Sequence, residues 1–277
     1  MWKQIAALAV ALTVPATAAG PDSTANARVT PASPVDALKH QFIENHGVKM
    51  SKVLTVTRRD GEKLNIWIKG VAEFGRGGIT ATDMTFRSDF NLFGGPVRQI
   101  VFEGRKYVRE GALPQGKSWF LSKDKKVHPV LDADWIKLAD PVMLKAVLAT
   151  TETKRPAGVY DGTRTTLYQG TMTLGELYRA SPEPPVLFEE KPTGQEARIE
   201  ISWRLWLGED QLVRRARGSW SEPYRDARRW YVADARLTDW DVPTDIPPPS
   251  ADDVATSYHE TDVRETPLPL NLNPATD

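Results

Sequence analysis

Apolar and polar side chains alternate most regularly in the stretch 197–207. Ile199, Ile201, Trp203, Leu205 and Leu207 share one side of a period of two, and Glu200, Ser202, Arg204 and Trp206 share the other. Successive strand residues point to opposite faces, so this pattern predicts a strand with one buried face. The same period recurs upstream. In Lys63–Val71, Leu64, Ile66 and Ile68 oppose Lys63, Asn65, Trp67 and Lys69, and in Thr80–Arg87 the residues Thr82, Met84 and Phe86 share a side. Further β-rich runs are Ser51–Arg58, Val97–Phe102, Arg105–Arg109, Thr163–Gln169, Gln211–Trp220 and Arg228–Trp240. Short turn signals separate them: Asp60-Gly61, the Gly75–Gly78 cluster, Gly94-Gly95-Pro96, Glu103-Gly104, Asp161-Gly162 and Gly208-Glu209-Asp210. Strands joined this tightly pair with their chain neighbours, which predicts an antiparallel meander.

Three segments break the period of two. Ser33 is placed to cap a helix with Pro34 at its first position, and Val35, Leu38, Phe42 and Ile43 follow at helical spacing until Gly47. Asp140 and Pro141 open a second helix filled by Val142, Leu144, Ala146, Val147 and Leu148. Thr173–Arg179 reads as a short third helix, although Gly175 weakens it. Residues 181–194 form a Pro-rich loop.

The ends of the chain are different in kind. Lys3, the apolar run Ile5–Val14, the break at Pro15 and the small residues Ala16 and Ala18 have the order of a secretory signal, with cleavage expected after Ala18. The run is too short to span a bilayer, which takes ~20 apolar residues. Residues 19–32 read as a flexible linker, 33–249 as one domain and 250–277 as a mostly disordered tail. The chain has no cysteine. It therefore has no lipobox for lipid attachment and no disulfides, so burial alone must hold the fold together. These features predict a protein that is secreted or held in the extracytoplasmic envelope.

Lysine plus arginine and aspartate plus glutamate number 36 each, so the formal charge is zero and no field favours nucleic acid. Four histidines (His40, His46, His128 and His259) in unrelated contexts do not make a zinc site. The sequence contains no G-x-S-x-G elbow, no P-loop and no dinucleotide fingerprint. The carboxylate pairs Asp132/Asp134 and Asp252/Asp253 read as solvated surface. No catalytic residue, metal or cofactor is therefore expected, and the chain reads as a non-enzyme. Arg214, Arg215, Arg217, Arg225, Arg228 and Arg229, with Trp220 and Trp230 among them, read as the solvated face of a hairpin balanced by Glu222, Asp226 and Asp234. If that face acts, Arg214, Arg215, Arg217 and Arg228 would contact an anionic headgroup or a partner.

The order of these pieces resembles the actinobacterial exported proteins with a LolA-like fold, the group of the LppX/LprG-type lipoproteins. The resemblance is carried by KLNIWIKGVAEF and TATDMTFR, by Tyr107-Val108-Arg109 with Gly116-Lys117-Ser118-Trp119, by Asp140-Pro141, by Trp203–Arg215 (WRLWLGEDQLVRR) and by the ending LTDWDVPTDIPPPSADDVA. It departs from the family in lacking the lipobox cysteine and in having Trp206 where the hairpin usually has an acidic residue. The resemblance implies an α+β fold: a strongly curved antiparallel β-sheet, an unclosed barrel, with helices covering the concave face. In characterised relatives that hollow holds acyl chains, and no catalytic residues carry over. The expected lining of such a cavity is Leu64, Ile66, Ile68, Met84, Phe86, Ile201, Trp203 and Leu205 from the sheet, with Val142, Leu144, Val147 and Leu148 from the covering helix. The expected function is the binding of a hydrophobic or amphiphilic, lipid-like molecule by a monomer. The alternative is an envelope interaction or sensory protein of the RseB/MucB type that docks a membrane-bound partner protein.

Overall fold

The computed structural model describes residues 33–89, 94–109, 113, 116–181, 191–224 and 227–256. The expected signal, the linker, positions 182–190 of the Pro-rich loop and positions 257–277 lie outside the described residues.

The first half of the chain is α1 (Pro34–His40) followed by six strands: β1 (His46–Thr57), β2 (Lys63–Gly75), β3 (Gly78–Ser88), β4 (Val97–Phe102), β5 (Arg105–Arg109) and β6 (Trp119–Lys123). A small hairpin follows, β7 (Asp132–Ala133) and β8 (Ile136–Lys137), and then α2 (Pro141–Ala149). The second half is β9 (Thr151–Tyr160), β10 (Thr163–Thr173), α3 (Leu174–Ala180), β11 (Glu200–Gly208), β12 (Val213–Tyr224), β13 (Ala227–Pro243) and β14 (Val254–Ala255).

Twelve strands form one sheet in the order β14-β6-β5-β4-β3-β2-β1-β13-β12-β11-β10-β9. All neighbours are antiparallel except β14 and β6. The 17-residue β13 joins the two meanders by pairing with β1 on one side and β12 on the other. The two ends of the order do not pair, so the sheet stays unclosed. One apolar core runs from Met84 on β3 to Met172 on β10, across seven neighbouring strands, and it includes residues of all three helices and of the β7–β8 hairpin. The three helices and the hairpin together cover this core on the concave side of the unclosed sheet.

The caps explain the helices. Asp140 accepts from the backbone N–H of Val142 (2.8 Å) and Met143 (3.1 Å) ahead of α2. Thr173 and Glu176 form a reciprocal capping box that starts α3. The first helix is shorter than its spacing predicts. It stops at His40, where the Gln41 N–H turns back to the Leu38 carbonyl, and Asn45 (φ 59°) then redirects the chain into β1. Gly47, expected to terminate that helix, lies inside β1, where a Cβ would overlap the Ala72 carbonyl of β2.

Two elements depart further from the sequence reading. Strand β9 (TETKRPAGVY) shows no alternation, because it is an edge strand with most of its side chains in water. The C-terminal segment is not all tail. Residues 244–256 cross the convex side of the sheet and bury Ile246 in a second small core with Ala81, Ile100, Tyr107 and Trp119. The Ile246 N–H donates to Glu73 Oε2 (2.7 Å), the Ser118 N–H donates to Asp253 Oδ1 (2.8 Å), and β14 pairs with β6. The fold therefore extends through at least residue 255, past the boundary expected at 249.

Candidate functional site

On β1, the even-numbered residues face the concave core: Val48, Met50, Leu54 and Val56 are all buried. Lys52 has the same phase and is also buried. A lysine in the middle of an apolar face needs counter-charges, since removing an unpaired ammonium from water costs several kcal/mol. The β7–β8 hairpin supplies them. Lys52 Nζ donates to Asp132 Oδ1, and Asp134 Oδ1 lies 3.8 Å away. This corrects the reading of Asp132 and Asp134 as solvated: Asp134 is only 4% exposed. Its local pattern suggested surface, and its counter-ion lies some 80 residues away in the chain.

The hairpin is tightly made. Asp134 has φ 65°, a left-handed conformation that aspartate tolerates better than most side chains. Its N–H donates to Asp132 Oδ1 (3.0 Å), and the Leu138 N–H donates to the Leu131 carbonyl (2.7 Å) at the base. The hairpin packs against β12 and β13, where the inward residues are the small Ala216, Gly218, Ala233 and Ala235. A Cβ on Gly218 would lie 3.4 Å from the Ala133 carbonyl. Larger side chains on these two strands would leave the hairpin no room.

This socket is bounded on one side by Lys52 and at one end by a stack of aromatics. Trp135 meets Trp220 edge-on at 5.7 Å, and Trp220 lies flat on Tyr231 at 4.9 Å. Trp220 Nε1 is buried there without a hydrogen-bond partner among the described residues.

Electrostatics show how strained the cluster is. Burial pushes the Asp134 carboxyl up to about 6; Lys52 pulls it down, while Asp132 and Glu222 push it further up. Burial alone would lower Lys52, but Asp132 and Asp134 more than offset it and hold the ammonium above its ordinary range. Burial, reinforced by Glu222, keeps the Tyr231 phenol above its usual range. Both members of the Lys52–Asp134 contact are almost dry.

The structure places the expected cavity-lining residues as follows. Ile66, Ile68, Met84, Leu144, Val147, Ile201, Trp203 and Leu205 are buried in the concave core, with Leu64, Phe86 and Leu148 half-buried against it. Val142 does not belong with them. It is 61% exposed, because the phase set by the Asp140 cap turns Met143, Leu144 and Val147 inward.

The arginines do not form one surface. Arg214 is buried between Asp161 (3.3 Å) and Asp210. Arg215 is clamped by Asp234 and donates to Tyr160 Oη (2.9 Å), with its guanidinium 4.8 Å over Trp206. Trp206 therefore serves as a platform for Arg215 on the convex face. Arg217 shares a convex groove of about 490 Å³ with Asp234 and Arg236. Arg228 donates to Ser221 Oγ (2.7 Å) and lines a separate groove of about 500 Å³ with Arg58, Arg59 and Arg229. Arg225, Asp226 and His259 lie outside the described residues. Among the described residues, no group of three or more His, Asp or Glu side chains is arranged to hold a metal.

No family model matches the sequence, and no curated protein matches it. Similar solved structures include a DUF1329 family protein from Desulfovibrio piger, 11% identical, covering 76% of this chain and 92% of that one at a TM-score of 0.29. A LolA superfamily protein from Nitrosomonas europaea is 9% identical, covering 79% and 96%, also at 0.29. The MucA/MucB complex of Pseudomonas aeruginosa is 11% identical, covering 74% and 92%, at 0.24. Likeness at this level carries no argument about what the chain binds.

Proposed function

We propose that the chain is an exported, non-catalytic envelope protein that binds a hydrophobic or amphiphilic molecule between its sheet and its helices. One observation carries the reading. The concave face is apolar across seven strands, yet among the described residues its cover is three helices of seven to nine residues and a hairpin of two-residue strands. Separate short pieces can be displaced singly, where one continuous layer would have to unfold as a whole. The closed core described above is then the unloaded form, and an acyl chain would replace the same van der Waals contacts, gaining ~25 cal/mol per Å² of apolar surface buried. Placement beside the LppX/LprG-type lipoproteins and export by the N-terminal signal belong to this proposal, and the sequence features set out above support them; action as a monomer is proposed with them. Native mass spectrometry of gently purified protein, with titration of a fluorescent fatty-acid probe, tests it. Absence of any co-purifying amphiphile together with absence of probe binding would overturn it.

One observation favours docking to a membrane-bound partner as a second reading. Arg58, Arg59 and Arg228 gather at one end of the sheet, and Trp230 on the adjoining convex face is 45% exposed. Charge reversal at Arg59 and Arg228 tests this better than reversal at Arg214, which braces the fold internally. A partner that stays bound to the doubly reversed protein would exclude it.

A further inference from the structure

The Lys52 socket bears on what the proposed carrier would hold, and this inference rests on that reading. Three features of the socket are otherwise unexplained. A buried cation stands in the middle of an apolar strand face. Its counter-ions belong to a short hairpin and not to the sheet. The floor beneath that hairpin is built from four small residues on two adjacent strands, Ala216, Gly218, Ala233 and Ala235.

A purely structural role gives little reason for this arrangement. Buried ion pairs are often matched or bettered in stability by apolar side chains of similar volume. A purely structural hairpin could equally have been apolar throughout, over a floor of larger residues. The arrangement makes sense if the hairpin occupies a place built for something else. Its tip offers carboxylates to Lys52, and Leu131, Ile136 and Leu138 at its base, none more than 1% exposed, lie in the same core. A carboxylate followed by apolar bulk is the chemistry of a single-chain anionic amphiphile. Trp220 Nε1 at the end of the socket, which has no hydrogen-bond partner among the described residues, adds one donor that the hairpin leaves unused.

We propose that the socket is the headgroup end of a binding site for anionic single-chain amphiphiles: Lys52 pairs with the ligand's carboxylate, and the β7–β8 hairpin is an internal stand-in that the ligand displaces. The exchange leaves Lys52 with a counter-charge, because the ligand's single carboxylate takes the place of the two aspartates, which regain water. No such balance is available to a neutral amphiphile, which would leave the ammonium unpaired. The site therefore selects by charge.

Dodecanoate and 1-dodecanol, titrated at pH 7.5 into the wild-type protein and two variants, separate the possibilities. Tryptophan fluorescence reads hairpin displacement through the Trp135–Trp220 contact, and calorimetry reads affinity. The wild type should prefer dodecanoate by about tenfold or more, as expected for a charge-assisted contact. The Asp132→Asn/Asp134→Asn protein, whose hairpin no longer competes for Lys52, should bind dodecanoate about tenfold tighter than wild type. The Lys52→Met/Asp132→Asn/Asp134→Asn protein, which leaves no buried charge unpaired, should bind both ligands alike. If dodecanoate and dodecanol bind equally to all three proteins, the Lys52 assignment is wrong while carriage stands. If neither ligand binds any of them, both the assignment and the carrier reading fall.

Discussion

Replacing Lys52 with methionine removes one charge and little volume, so it isolates the cost of leaving two buried carboxylates without their cation. Asp132 and Asp134 retain side-chain exposures of only 14% and 4%. Breaking a buried pair in this way costs about 3–5 kcal/mol, because the surviving charge cannot be rehydrated. Urea unfolding followed by tryptophan fluorescence suits a protein with nine tryptophans, and an unchanged m-value would show that the loss is in native stability. The origin of the loss is checked in two ways. First, the deficit of Lys52→Met should shrink by about 1–2 kcal/mol between pH 7.5 and pH 5. Asp134 already titrates at about 6 with Lys52 present, and without the lysine it protonates more readily still. Second, adding Asp132→Asn and Asp134→Asn should restore most of the loss, since asparagine keeps the turn and accepts the left-handed conformation at 134. A deficit below about 1 kcal/mol at pH 7.5, or one indifferent both to pH and to the added substitutions, would refute the reasoning.

Asp134→Asn alone predicts a change in the pH profile. The folded carboxyl titrates at about 6 against 3.8 when unfolded, so the native state holds the proton more tightly. The group adds no penalty below about pH 4, and the wild type loses stability as pH rises toward 6, by up to ~3 kcal/mol. The variant should lack that slope; parallel profiles from pH 4 to 7 would contradict the burial of Asp134 between Lys52, Asp132 and Glu222. Ile246→Ala should cost about 2 kcal/mol locally, seen as faster limited proteolysis within residues 244–256, with the concave core unaffected. Thr173→Ala, which removes the hydroxyl half of the α3 capping box, should cost about 1 kcal/mol in thermal unfolding.

Local pattern determined a large share of this fold. Strands half-buried on a sheet alternate with period two, and helices begin where a polar oxygen can satisfy their first N–H groups. For that reason Glu200–Gly208, the Asp60-Gly61 turn, and the caps Ser33 and Asp140 were legible from residues within a few positions of one another. The edge strand β9 was not, because a strand with most of its side chains in water has no reason to alternate. Lys52 carried a local signal of its own, a charge in phase with Val48, Met50, Leu54 and Val56. That phase marks an anomaly without naming its partner. Only the tertiary structure brought Asp132 and Asp134 to Lys52, laid Trp135 on Trp220, and separated the braced Arg214 and Arg215 from the open Arg228. It also set Ile246 on the convex face beside residues more than a hundred positions earlier. Coulombic pairing and packing act between neighbours in space, and a curved sheet whose central strand pairs residue 46 with residue 243 makes neighbours that no short stretch of sequence contains.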